Sequence, residues 1–399
     1  MTYLALTVLV ASLLLFMYTY IGYPLSLWVL GSATRRTLPT HGNDETWPFA
    51  SITVPAYNED RQIRGLIESL LALDYPRDRL QILIVSDASS DDTDAIVTEY
   101  ADRGVELLRM PKRGGKTRAE SEASARLRGD IIVNTDASIR IQPDSLKHLL
   151  AAFRDPAVGL ASGRDVSVSP GQTLDNLSES GYVGYEMGIR DLETRVAGII
   201  GASGCFYAIL APLHRVRLPD SLSRDFASAL HTIENGYRPV SVSAAVCHVP
   251  RTTSLRSEFR RKVRTITRGM ETLWHKRDLL NPFRYSVFSW MLFSHKVCRW
   301  ALPWAALASF LALAILAPSH VVAAALFAVG MVVLVLAAIG WAYDGKANLP
   351  RIVTLPAFVI AGNLAAAVAL VRAFQGRLDP TWEPTRRGEA QPGKAPRSA

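Results

Sequence analysis

Cysteine is scarce in this chain of 399 residues: Cys205, Cys247 and Cys298 are odd in number, far apart and free of any C-x-x-C spacing. Neither a disulfide framework nor a zinc site is indicated. Charge is missing altogether from residues 3–30, YLALTVLVASLLLFMYTYIGYPLSLWVL. A run that long exceeds the 20 or so apolar residues needed to cross a bilayer. A cleaved signal peptide would need a basic stretch before a shorter apolar run, and the chain has neither. The net charge of +8 comes without a zinc-finger or RNA-binding signature. The densest basic run, RSEFRRKVRTITRG at 256–269, stands just before further apolar segments. Bases in that position meet anionic lipid or set topology, so membrane lipid is expected as a partner and nucleic acid is not.

Three more apolar stretches follow, at about 300–317, 319–343 and 352–371. The expected organisation is a transmembrane helix over 1–32, a linker over 33–48, a catalytic domain over 49–250 and a basic interfacial region over 251–297. Transmembrane segments over 298–373 and a polar, basic tail over 374–399 complete it. Arg35 and Arg36 follow the first span, which by the positive-inside rule puts the soluble part in the cytoplasm and the chain in the inner membrane as a multi-pass protein. Segment 283–297 mixes aromatics with Arg284, His295 and Lys296 and reads as a helix lying in the interface, with His295 an interfacial polar residue. One span before the soluble part and three after it place the tail outside, whereas its bases prefer the cytoplasm. The segment around Pro356 and Asn363 is then the candidate for not crossing.

Between the apolar ends, short apolar runs alternate with helical stretches: ASITVPA, EDRQIRGLIESLLAL, LQILIVSDA, DDTDAIVTEYADRG, VELLRM, GKTRAESEASARLRG, DIIVNTDA. That alternation is the mark of βαβ units, so the fold class is α/β with a largely parallel, Rossmann-like sheet. Ligands of such sheets lie outside the carboxyl ends of the strands. Asp-Ala-Ser follows two of the runs, placing Asp87 and Asp136 on one rim, and SITVPAYNED brings Pro55, Ala56, Tyr57 and Glu59 to it. The same residue types also cap helices, which remains the better reading for Asp91 and Asp92.

Two rim carboxylates suit a hard divalent ion, Mg²⁺ or Mn²⁺, shared with phosphate oxygens. Between them, MPKRGGKTRAE at 110–120 sets Lys112, Arg113 and Lys116 around glycines whose backbone can approach a phosphate. It is not a Walker A loop, because Met110 stands where the first glycine is required. A nucleotide diphosphate held by a metal and a lysine fits better.

The ordered set PAYNE, IVSDASSDDT, GGKTRA and VNTDAS, continued by GASGCFYAI at 201–209, SRDFASALHTIENGYRPV around 225 and RRKVRTITRG near 264, resembles the membrane-bound family 2 glycosyltransferases of GT-A fold. These are the relatives of cellulose, hyaluronan and poly-N-acetylglucosamine synthases. The resemblance covers about 50–300 and implies a nucleotide-sugar donor, most plausibly UDP-linked, and a saccharide or lipid-linked acceptor. It implies that Pro55, Ala56, Tyr57, Glu59 and Asp87 hold the nucleoside, with Lys116 beside the base or its phosphate. Asp136 and Ser138 fall on the family's D-x-D metal position, with serine in place of the second aspartate. Gly201, Ser203 and Gly204 fall on the acceptor-side motif, where an ordinary tight turn is the alternative. Asp225 falls on the general base, preceded here by Arg224 instead of an acid, and its alternative is a helix N-cap. The Q-x-x-R-W segment is reduced to Arg261-Lys262-Val263-Arg264-Thr265, which keeps Arg264 for the leaving diphosphate and lacks the tryptophan of the processive enzymes. Single-sugar transfer to a lipid-linked acceptor, or a silent scaffold keeping the fold, are the competing expectations.

Overall fold

The computed structural model describes residues 1–34, 37–40, 46–168, 175–250, 254–346 and 349–376. Arg35, Arg36 and the basic tail lie outside the described residues. The strands are β1 (Ala50–Ala56), β2 (Leu80–Ser86), β3 (Val105–Arg109), β4 (Ile131–Thr135), β5 (Arg140–Ile141), β6 (Val158–Val168), β7 (Phe206–Leu210) and β8 (Arg238–Pro250). They form one sheet in the order β3-β2-β1-β4-β7-β6-β8-β5. The half built by β3, β2, β1 and β4 is parallel, as the alternation of runs and helices predicts. The other half is mixed. Strand β7 runs antiparallel to both β4 and β6, and β5 runs antiparallel to β8.

The parallel strands carry apolar residues on both faces because both faces are covered. Ile52, Val54, Ile82 and Ile84 pack on one side with Ile63, Leu66, Ile67 and Leu70 of the helix Asp60–Leu71. Leu83, Val85 and Ile132 pack on the other with Ala119 and Ala123 of the helix Lys116–Ala123.

Reversal of β7 decides where the site can be. Phe206 opens β7 opposite Thr135, the last residue of β4. Residues 201–205 therefore arrive at the same rim on which β1, β2 and β4 end, although they precede a strand instead of following one.

Among the described residues, four helices are long and apolar enough to cross a membrane: Thr2–Thr34, Val287–Leu316, Val321–Ala342 and Arg351–Phe374. In the best-packed of them only 33% of the apolar window is buried, which leaves the rest to lipid. The interfacial reading of 283–297 changes here. From Val287 onward that segment runs straight into the next apolar stretch as one helix, and His295 is 2% exposed. The helix around Pro356 and Asn363 is continuous and qualifies by length and composition. A cluster of Tyr23 and Leu27 from the first apolar helix, Ile200 and Phe226 from the catalytic part, and Phe288, Met291 and Leu292 from the second apolar helix joins the sheet domain to the spans.

Candidate active site

The side of the rim at the ends of β1 and β2 is a set of strained strand ends tied to one another. Asn58 and Ala88 both adopt left-handed backbone, with φ of 51° and 60°. For alanine this conformation is costly, and such strain collects at functional sites. The two turns are stitched together: Asn58 N–H donates to Ser89 Oγ at 3.2 Å, and Ser90 N–H donates to Asn58 Oδ1 at 2.8 Å. Asp87 is 3% exposed, and its carboxylate accepts from the backbone N–H of Gly114 at 2.7 Å and of Gly115 at 2.8 Å. Gly115 needs to be glycine, since its φ is 88°. Asp87 thus fixes the basic loop over the rim. The Arg113 guanidinium stacks on Tyr57, 3.9 Å from the ring centroid. Pro55 and Ala56 lie in the buried end of β1, and Ala56 O accepts from Asp87 N–H at 2.8 Å. Glu59 is buried, and its N–H donates to Thr93 Oγ1 at 2.8 Å.

The other side of the rim is assembled around Lys116. Its Nζ donates to Asp136 Oδ1 at 2.5 Å and to the Gly204 carbonyl at 2.9 Å. Burial opposes its charge, yet Asp136, Glu120 and Asp225 around it hold the ammonium above its ordinary value. A Cβ on Gly204 would stand 3.0 Å from Asp225 Oδ2, so only glycine lets the backbone approach that carboxylate unstrained. Asp136, Lys116, Gly204 and Asp225, drawn from four separate segments, are thereby contiguous.

Asp225 does not cap its helix. The cap position of Arg224–Glu234 falls to Ser223, whose hydroxyl donates to Asp225 Oδ1 at 2.6 Å. The Oδ2 atom faces Gly204. Ser203 is a scaffold residue: its N–H donates to Ser162 Oγ at 2.8 Å, and its hydroxyl reaches both Asp165 oxygens at 2.6 and 2.7 Å. Gly201 lies beside Phe226, whose ring would be 3.5 Å from a Cβ there.

Arg224, the residue in place of an acid, is 4% exposed and donates to His214 O at 2.7 Å and Ser121 Oγ at 3.2 Å. Its Nε lies 3.8 Å from Glu120, a fully buried carboxylate on the Lys116 helix. Burial raises the Glu120 pKa, against the pull of Lys116 and Arg224. Sequence reasoning missed Glu120. Its signal was the spacing, since a residue four after Lys116 shares its helix face.

On the helix Leu255–His275, Arg264 is half-buried, and the arginine four residues later ties that helix to the rim. Arg268 Nη2 donates to Thr117 Oγ1 at 2.8 Å and to the carbonyls of Asp220 and Leu222, bracing both the Lys116 loop and the approach to Asp225.

Among the described residues, no group of three or more His, Cys, Asp or Glu could hold a metal ion by itself. Asp136 still fits a shared ion. Its Oδ1 is engaged by Lys116, its Oδ2 has no hydrogen-bond partner among the described residues, and its side chain is 23% exposed at the rim. One carboxylate completed by substrate phosphate oxygens and water is an ordinary setting for Mg²⁺ or Mn²⁺. Ser138 is 8% exposed, two residues further on.

Residues 51–207 match the family model described as Glycosyl transferase family 2. An N-acetylglucosaminyltransferase of Mesorhizobium japonicum is 34% identical over 134 residues, 32% of this chain and 31% of the relative. A hyaluronan synthase of Streptococcus pyogenes is 35% identical over 134 residues, 31% of this chain and 31% of the relative. A beta-monoglucosyldiacylglycerol synthase of Trichormus variabilis is 28% identical over 183 residues, covering 44% of this chain and 38% of the relative. The chain thus spans about a third of the length of the curated relatives it matches. Among solved structures, the mannosyltransferase PcManGT from Pyrobaculum calidifontis, in complex with GDP-Man and Mn²⁺, superposes with a TM-score of 0.69 at 21% identity. The match covers 93% of this chain and 99% of that one, and it identifies the fold as GT-A with flanking helices.

Proposed function

The chain carries a family 2 glycosyltransferase domain over residues 51–207, and from that premise we propose that it moves a sugar, with inversion, from a nucleotide donor to an acceptor met at the membrane. The donor is UDP-linked in this reading, and the acceptor is a saccharide of surface or extracellular polysaccharide. One observation carries the proposal: Asp136, Lys116, Gly204 and Asp225 stand in contact around one opening at the strand ends.

The nucleoside rests on the rim formed by Pro55, Ala56, Tyr57 and Glu59, with Asp87 holding the basic loop against it and Arg113 stacked on Tyr57. Asp136, with Ser138 nearby, would hold Mg²⁺ or Mn²⁺, which would supply positive charge against the donor diphosphate. Lys116 adds a fixed ammonium to the same oxygens, and Arg264 adds a guanidinium as the diphosphate departs. Asp225 Oδ2 takes the proton of the acceptor hydroxyl as that oxygen attacks the anomeric carbon. The bond from that carbon to the diphosphate breaks, and the nucleoside diphosphate leaves with the electron pair. Gly201, Ser203 and Gly204 shape the acceptor's place, glycine because a ring must come close to backbone.

A second reading, single transfer to a lipid-linked acceptor, is favoured by one feature. Phe226, the residue after the base, packs in the same cluster as Tyr23 and Phe288 of two apolar helices. An acceptor carried in the bilayer would reach Asp225 along that contact.

The test is nucleoside diphosphate release by the purified, detergent-solubilised full chain from a panel of UDP- and GDP-sugars, with and without Mn²⁺ or Mg²⁺. Release from one donor that requires the metal and is lost in Asp136→Asn and Asp225→Asn is the expected result. Absence of both release and metal-dependent donor binding would leave the chain a silent scaffold.

A further inference from the structure

Lys296 forms no ion pair among the described residues, although the Glu186 and Glu193 carboxylates, bonded to other groups, stand near enough to attract it. It lies within Val287–Leu316, in a π-helical widening over Phe293–Cys298, a distortion that recurs at functional sites. An ionisable residue inside such a helix is expensive to keep, and it ordinarily pairs with an opposite charge. The neighbouring charges are matched instead to one another. Glu193 receives Tyr23 Oη at 2.6 Å and His295 Nδ1 at 2.5 Å, and Glu186 receives Arg299 Nη1 at 2.6 Å. Lys296 has no hydrogen bond and no ion pair among the described residues; its ammonium stands over the Phe226 ring, 4.9 Å from the centroid. It is 3.9 Å from where a Cβ on Gly201 would be. The widening therefore turns a lysine out of a membrane helix and into the acceptor side of the sheet domain.

We propose that Lys296 anchors the phosphate of a phosphate-linked lipid acceptor. The proposal rests on the reading of Asp225 as the base, and it names the class of acceptor. Gly201 and Gly204 are three residues apart, at most about 11 Å, the scale of one or two sugar rings. A phosphate held at Lys296 beside Gly201 thus leaves the sugars next to it within reach of Asp225 beside Gly204. A phosphate is preferred over a neutral headgroup because a half-buried ammonium beside an aromatic ring has no hydrogen-bonded acceptor among the described residues, Glu186 and Glu193 being bonded to other groups, and a charge-assisted hydrogen bond would supply one. The polar linkage of a lipid acceptor lies where the spans meet the domain, which is where Ile200, Phe226 and Met291 pack together.

Two measurements on the full chain in phosphatidylcholine vesicles test this. In the first, amine acylation at each lysine of the wild-type protein is followed by mass spectrometry, with vesicles carrying a long-chain polyprenyl monophosphate, the same polyprenol, phosphatidate, or added inorganic phosphate. Protection of Lys296 by polyprenyl monophosphate but not by polyprenol is expected; protection by phosphatidate as well would widen the class to any lipid phosphomonoester. Equal protection by the polyprenol, or protection by inorganic phosphate alone, would overturn the assignment. In the second, Lys296→Met should weaken binding of polyprenyl monophosphate roughly ten- to a hundredfold, with Lys296→Arg restoring most of it. Wild-type affinity in Lys296→Met would sink the proposal, as would loss of its Mn²⁺-dependent donor binding, which would move Lys296 to the donor diphosphate. Donor cleavage that depends on Asp136 and Asp225 but is indifferent to Lys296 leaves the transferase reading standing while this one fails.

Discussion

The two sides of the rim are built on different plans. On the nucleoside side, Tyr57, Asp87 and the Gly114-Gly115 loop come from consecutive strand-to-helix turns, and their bonds run between neighbours in the parallel half of the sheet. On the acceptor side, Gly204 precedes a reversed strand, Asp225 opens a helix, Arg268 belongs to a juxtamembrane helix and Lys296 to a membrane helix. The first side is an ordinary property of a parallel sheet, whose strand ends bind ligands. The second is completed where the sheet domain meets the apolar helices, through Arg268 and Lys296. Substitutions should respect the division: the nucleoside side should alter donor binding, and the acceptor side should alter turnover with donor binding kept.

The largest effect is expected at Asp225. Asp225→Asn should lower transfer about 10²- to 10⁴-fold, the usual worth of a general base, with metal-dependent donor binding retained. Titration calorimetry with the donor and a product assay on the same sample separate the two. Next comes Gly204→Ala, whose Cβ would stand 3.0 Å from Asp225 Oδ2 and press the carboxylate aside. The loss in turnover should approach, without exceeding, the roughly 10²-fold that a 1 Å misplacement of the base costs. Wild-type turnover in Gly204→Ala would show that the carboxylate has slack and would weaken the case for its placement. On the other side, Asp87→Asn replaces one of the two acceptor oxygens that pin the loop, so donor affinity should fall roughly tenfold with a smaller change in the rate from bound substrate.

The same division explains what could be read from the sequence. Strand-end aspartates on parallel strands are visible as apolar runs that stop at a carboxylate, so Asp87 and Asp136 and their common rim were legible. The reversal of β7 was not, because a buried strand looks alike in both directions, and its consequence was visible only through the family resemblance of GASG. Composition made the apolar helices plain but not their contents. His295 and Lys296 read as interfacial polarity because nothing local marks Glu193, more than a hundred residues earlier, as the partner of His295. Arg224 read as a departure from pattern, and its reason is Glu120, again distant in sequence. For His295 and Arg224 the missed element is a carboxylate distant in sequence.

Two buried carboxylates, Glu120 beneath the rim and Glu186 at the seam with the apolar helices, should answer pH with opposite signs. Burial raises the Glu120 pKa despite Lys116 and Arg224. A carboxyl whose folded pKa is raised favours the native state most below its ordinary value of 4.5, and that contribution is lost as pH climbs through the folded value. Burial also pushes Glu186 up, but His295 and Arg299 outweigh it and hold the carboxyl well below 4.5. Its contribution is present above 4.5 and is lost as pH falls through the lowered value. The thermal midpoint of Glu120→Gln relative to wild type, followed in detergent at one scan rate, should therefore rise with increasing pH; Arg224 keeps its bonds to His214 and Ser121 in that variant. The midpoint of Glu186→Gln should fall short of wild type at neutral pH, and the gap should close on acidification. Slopes of the same sign for both variants would mean that Glu186 is not neutralised by His295 and Arg299 in the folded chain. The seam between sheet domain and apolar helices would then be held by its apolar cluster and by the Tyr23 and His295 bonds to Glu193.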